Sequence, residues 1–204
     1  MTGALPPRRR GVLFDMDGVL VFSTEAWFGV YNDTLVHFGH APIGRAEFLR
    51  IFGNGTQADR AMYMPERSVE EIDGAYRRFF AERLDAIELN PEAMPVLRRL
   101  RTQGVRTALA TNTNRKLAQS ILERFGVLDL LTSLACADEA GAGKPDPAVI
   151  RLAASRIGLD LPECLMVGDS RYDEEAARQA PVAFCGYRFG SPATRIEALS
   201  EIAD

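Results

Sequence analysis

From residue 105 to residue 184, short apolar runs alternate with stretches of helical period, and few architectures accept that alternation. Residues 105–110, 131–135, 165–167 and 182–185 read as strands, and the segments between them carry apolar side chains at three- and four-residue spacing. Strand and helix in strict succession predict βαβ crossovers, and hence a parallel sheet with helices on both faces. One further buried strand, residues 12–14, stands far upstream and must pair with the later ones. The expected fold is therefore α/β, with a discontinuous Rossmann-like core.

What separates that first strand from the rest is helical. Ser23 or Thr24 can cap a helix with Trp27, Val30, Tyr31, Thr34, Leu35 and Phe38 on one side, closed by Gly39. A second piece, 47–52, stops at Gly53-Asn54-Gly55, and a third covers 56–64. Ser68 and Glu71 form a capping box ahead of Ile72, Tyr76, Phe79, Phe80 and Leu84. No strand signal interrupts residues 23–89, so they are expected as an inserted all-helical cap between core segments 1–22 and 90–204. Asn90-Pro91 predicts a helix start, Asp146-Pro147 another, and Ser191-Pro192 a last helix carrying Ile196 and Leu199.

Bulk properties remove several classes. A formal charge of −4 argues against a nucleic-acid binder. No stretch is long and apolar enough to span a membrane. Arg8-Arg9-Arg10 precedes an apolar run, but Asp15 and Asp17 break that run too early for a secretory signal. Residues 1–10 are expected as a solvated tail and the protein as cytoplasmic. Cys136, Cys164 and Cys185 are widely spaced and odd in number, which predicts buried free thiols. His37 and His40 lack a third ligand for a metal. Tyr76, Phe79 and Phe80 read as the core of the cap.

Chemistry gathers where strands end. The run Gly11-Val12-Leu13-Phe14 leads directly into Asp15-Met16-Asp17-Gly18. The strand at 105–110 ends at Thr111-Asn112, that at 165–167 leads to Gly168-Asp169 with Asp173 close behind, and a glycine-rich loop supplies Lys144-Pro145. Ligands of open α/β sheets lie outside the carboxyl ends of the strands. Taken singly, each residue has a duller reading: a solvated Asp-Gly turn, a helix cap at Thr111 or Asp173, a surface lysine.

Together, in this order, the four segments resemble the motifs of the haloacid dehalogenase-like superfamily. Phe14-Asp15-Met16-Asp17-Gly18-Val19 is similar to its first motif, Thr111-Asn112 to the second, Lys144-Pro145 to the third and Gly168-Asp169-Ser170-Arg171-Tyr172-Asp173 to the fourth. The cap position resembles the C1 branch, which includes phosphoglycolate phosphatases and β-phosphoglucomutases. The resemblance implies a phosphatase of a small phosphorylated metabolite, with Asp15 as nucleophile and Asp17 as general acid and then base. Acidic groups beside a phosphate need a counter-charge, which implies Mg²⁺ held by Asp15, Asp169, the carbonyl of Asp17, and Asp173 directly or through water. Thr111, Asn112 and Lys144 would hold the phosphoryl oxygens.

Candidate substrate contacts on the cap are Gly53, Asn54, Gly55 and Thr56, with Arg45, Arg50 and Arg60 as anion partners. The expected partner is a small phosphate ester, handled by a monomer or weak homodimer. Two positions depart from the family pattern: Phe22, where relatives commonly carry an acid, and Pro181, where they carry glycine. Asp17 and Asp169 argue against a dehalogenase, and a cap without lysine argues against a phosphonatase. A sugar phosphomutase and a non-catalytic phosphometabolite binder remain as rival readings.

Overall fold

The computed structural model describes residues 9–203, so most of the segment expected as a tail lies outside the described residues. Arg10 is not part of a frayed end: its amide donates to the carbonyl of Glu163 at 3.0 Å and its guanidinium pairs with the Glu163 carboxylate.

The strands are β1 (Gly11–Phe14), β2 (Val21–Phe22), β3 (Glu88–Leu89), β4 (Arg106–Thr111), β5 (Ser133–Cys136), β6 (Cys164–Gly168), β7 (Ala183–Tyr187) and β8 (Arg195–Ile196). One parallel sheet runs β5-β4-β1-β6-β7-β8. β1 is thus flanked by two strands from much later in the chain, with Leu13 opposite Ala108 on one side and Met166 on the other.

Successive side chains of a strand point to opposite faces, and the two faces bury separate clusters. Val12, Phe14, Leu109, Leu165 and Val167 pack on one face under α5 (Ala93–Thr102) and α6 (Arg115–Arg124). Leu13, Ala108, Ala110 and Met166 pack on the other under α8 (Ala148–Arg156) and α9 (Arg171–Gln179). The small residues Ala108 and Ala110 leave room for Val149, Ile150 and Ala153 of α8 to approach closely. The short α7 (Ala137–Ala140) follows β5.

Between β2 and β3 the chain forms α1 (Thr24–His37), α2 (Arg45–Ile51), α3 (Thr56–Tyr63) and α4 (Val69–Ala81). The predicted capping box is present: Glu71 N–H donates to the Ser68 hydroxyl and Ser68 N–H to the Glu71 carboxylate. Three expectations need correction. Residues 23–89 are not free of strand, because Glu88–Leu89 pairs antiparallel with Val21–Phe22 and closes the insert with a two-stranded ribbon, setting Phe22 opposite Glu88. The helix expected at Asn90 begins at Ala93. Buried Asn90 still serves as a cap, its amide oxygen accepting from Glu92 N–H at 3.0 Å, while its amide nitrogen donates to the carbonyl of Val19 (2.7 Å) and the hydroxyl of Tyr187 (3.2 Å), linking the ribbon to the sheet. The last helix is replaced by β8 and a single 3₁₀ turn at Leu199–Ile202, since Arg195–Ile196 extends the sheet beside β7.

Candidate active site

Sheet order reverses at β1, and the crevice at such a switch point is where open α/β sheets bind ligands. Asp15 follows β1, Thr111 ends β4 and Asp169 follows β6. Lys144 arrives from the loop between α7 and α8 and is only 3% exposed. Its ammonium donates to Asp15 at 2.7 Å, to Asp173 at 2.6 Å and to the carbonyl of Ala110 at 2.8 Å. All three ammonium hydrogens thus have acceptors. Asp173 caps α9, its carboxylate accepting from the Ser170 amide, and it also pairs with Lys144.

Glycines let these loops approach. Gly18 has φ +85°, and a Cβ placed there would lie 1.8 Å from a carboxylate oxygen of Asp169. Only glycine tolerates both conditions. At Gly168, where φ is ordinary, a Cβ would lie 2.3 Å from that of Asp173. Asp15, Asp169 and Asp173 consequently offer oxygens within 4.8 Å of one another. Burial pushes the Asp15 carboxyl up to about 7 although Lys144 pulls it down. Burial, reinforced by Asp15 and Asp173, pushes Asp169 up to about 8. Burial alone would lower the Lys144 ammonium, but Asp15 and Asp173 outweigh it and raise the group above its usual range. One ammonium therefore falls short of neutralising the cluster, and the remaining donors are hard oxygens suited to a divalent cation.

Asp17 sits on the opposite side of the turn. One carboxylate oxygen accepts from the indole of Trp27 at 3.0 Å and from the Ser23 hydroxyl, the other from the Thr113 hydroxyl at 3.0 Å. Burial raises its pKa and these hydrogen bonds oppose the rise. The sequence does not reveal Ser23, Trp27 and Thr113 as partners of Asp17: Trp27 and Ser23 read as helix face and cap, and only Thr113's place two residues beyond a strand end signals a role.

The insert covers this site, leaving a cavity of about 490 Å³. Asp15, Asp17, Lys144 and Asp169 line its core side, while Gly53, Asn54, Gly55 and Thr56 line its insert side. Asn112 joins the two. Its amide nitrogen donates to the carbonyls of Gly53 (2.7 Å), Asn54 (3.2 Å) and Lys144 (2.8 Å), and its amide oxygen accepts from Lys144 N–H at 2.6 Å. Those bonds occupy the side chain that sequence reasoning aimed at a phosphate. Thr111 is 1% exposed and its hydroxyl accepts from Thr113 N–H at 3.1 Å. It is not among the residues that line the cavity.

The three insert arginines divide. Arg50 lines the cavity mouth. Arg45 does not reach it, being held on the exposed surface by Glu25 at 2.8 Å. Arg60 is turned to the carbonyls of Arg67 and Pro65. Within the aromatic stripe, Phe80 is core, whereas Tyr76 also lines the cavity. The cysteines are free and buried, and His40 pairs with Glu66 at 2.8 Å.

A profile of haloacid dehalogenase-like hydrolases matches residues 10–181. The chain belongs to that family. It is 32% identical over 190 residues to a phosphoglycolate phosphatase of Cereibacter sphaeroides, covering 87% of this chain and 86% of that protein. It is 30% identical over 210 residues to a phosphoglycolate phosphatase of Rhodospirillum rubrum, covering 96% and 87%. Among solved structures, CbbY from Rhodobacter sphaeroides in complex with phosphate superposes with a TM-score of 0.82 at 21% identity, covering 95% of this chain and 96% of that one, which is a likeness of fold. This haloacid dehalogenase-like hydrolase is accordingly a phosphatase, a phosphoric monoester hydrolase of the phosphoglycolate-phosphatase-like branch. Among the described residues, no helix is long and apolar enough to cross a membrane.

Proposed function

We propose that the protein is a Mg²⁺-dependent phosphatase of a small phosphorylated metabolite that works through an aspartyl-phosphate on Asp15. In this reading residues 23–89 form a cap over a core made of 1–22 and 90–204. The observation that carries it is the contact of Lys144 with both Asp15 and Asp173, with Asp169 in the same cluster.

Asp15, Asp169 and Asp173 are the side chains that would hold Mg²⁺, and the excess of negative charge they bury fits that ion. The carbonyl of Asp17 is assigned with them from family resemblance. When bound, the ion would supply positive charge against the phosphoryl oxygens. Asp15 attacks phosphorus through a carboxylate oxygen, and the bond from phosphorus to the ester oxygen breaks. Asp17 donates its proton to that oxygen, so the product leaves as an alcohol. The burial that raises the Asp17 pKa favours the protonated form this step needs. Ionised Asp17 then takes a proton from water, the water oxygen attacks phosphorus, and inorganic phosphate leaves with Asp15 restored. Lys144 holds Asp15 in place and balances charge on the moving group.

The cap would exclude bulk water during transfer and select the alcohol. All of these groups come from one chain, so a monomer or weak homodimer suffices, and three buried thiols suit a reducing cytoplasm.

The test is release of inorganic phosphate from a panel of sugar phosphates, phosphoglycolate, nucleotides and pyrophosphate. Activity should vanish with chelator and return with Mg²⁺, and Asp15→Asn should abolish it in a folded protein. Metal-independent turnover, or an active Asp15→Asn variant, contradicts the proposal.

A further inference from the structure

The cap end of the cavity has a character of its own. Asp59 of α3 lines it and is 7% exposed. Its carboxylate accepts from the hydroxyl of Tyr76 at 3.0 Å and, weakly, from that of Tyr31 at 3.5 Å. Among the described residues no lysine, arginine or histidine pairs with it, and the one charged neighbour that bears on its ionisation is Asp73, of like sign.

Around it stand aromatic rings. Trp27 meets Tyr76 edge-on with centroids 5.4 Å apart, Tyr76 lies 6.2 Å from Tyr31, and Tyr31 lies 5.9 Å from Phe48. All four line the cavity that also contains Asp15. Aromatic faces attract cations, most strongly out of water, and a buried carboxylate needs a counter-charge.

Positive charge from the protein is placed elsewhere. Residues 23–89 contain no lysine. Arg45 and Arg60 are turned away, and Arg50 and Arg171 lie at the exposed mouth, Arg171 donating to the carbonyl of Arg50. A ligand carboxylate lodged beside Asp59 would meet a group of like charge there.

We infer that the alcohol half of the substrate carries a positive charge, held among Trp27, Tyr31 and Tyr76 with Asp59 as its counter-ion, so that the preferred esters are phosphorylated amino alcohols. The inference rests on the phosphatase reading given above and names the substrate class of the same site. Asp59 is a specificity residue here: it touches the leaving group and takes no part in the transfer.

The test holds shape fixed and varies charge. The full chain with Mg²⁺ is offered phosphocholine, its uncharged isostere 3,3-dimethylbutyl phosphate, and phosphoglycolate. kcat/KM for phosphocholine should exceed that for the isostere by about tenfold or more. Asp59→Asn, which keeps hydrogen-bonding capacity toward both tyrosines, should bring the ratio close to one. A purely structural Asp59 would leave the ratio unchanged. Equal rates on the two isosteres, or a preference for phosphoglycolate, overturn the charge assignment while leaving a phosphatase. If no ester is turned over, the phosphatase reading fails, and calorimetry on the wild-type chain still judges the cage. Choline should then bind and 3,3-dimethylbutanol should not, whereas equal binding or none overturns the inference.

Discussion

The ammonium of Lys144 lies 2.6 Å from a carboxylate oxygen of Asp173, a side chain wholly shielded from solvent. A buried acid in that position fixes where the lysine can point, and the same ammonium reaches Asp15 on its other side. Removing one partner of such a network leaves uncompensated charge behind. Lys144→Met should therefore lower kcat by about 10²- to 10³-fold. Steady-state phosphate release checks it, with circular dichroism to establish that the variant folds. A loss below about threefold would take Lys144 out of the proposed transfer.

Gly18 tests the turn itself. An alanine there meets the Asp169 carboxylate at 1.8 Å while adopting φ +85°. Gly18→Ala should lose at least about 1 kcal/mol of stability. It should also weaken the activating affinity for Mg²⁺ by about tenfold or more, because Asp169 must move. Titrating activity against Mg²⁺ gives the second quantity and thermal melts the first.

Asp59 links the insert to pH. Burial raises its pKa from 3.8 to about 7, with the Tyr76 and Tyr31 hydroxyls pulling the other way. The folded protein thus holds this proton more tightly than the unfolded chain does. Stability from this group is complete below about pH 4 and declines as pH rises toward 7. Asp15 and Asp169 move in the same sense, so the informative quantity is a difference between proteins. Without ligand or metal, the melting temperature of the wild type should fall between pH 5 and pH 7 more steeply than that of Asp59→Asn. Parallel pH curves would mean that Asp59 ionises normally in the folded state.

The core was legible because its signals are local. Apolar runs of strand length ending in Asp15, Thr111 and Asp169 announce both the sheet and its reactive edge before any packing is known. What escaped depends on partners distant in sequence. A two-residue strand such as Glu88–Leu89 exists only because Val21–Phe22 lies beside it. Asn90 has the look of a helix cap and accepts from Glu92 N–H as one, but its amide nitrogen also serves Val19 and Tyr187, which the sequence does not show. Arg195–Ile196 followed a helix-start signal, but the open edge of β7 offered hydrogen bonds to an extended chain.

The same holds within the site. Arg45 reads as an anion partner, and only the fold shows Glu25 holding it on the surface. Asp59 carries no signal in the sequence, since nothing in its neighbours' spacing shows Tyr31 and Tyr76 closing over it. Asn112 stood where a phosphate contact was expected, and it was the fold that brought Gly53 and Asn54 to its amide.

That amide has a further consequence. Any shift of the loop at 53–55 away from the core would strip Asn112 of two acceptors while leaving it bound to the backbone of Lys144. The insert and the charged centre therefore hang on one peg, and what loosens the one is felt by the other.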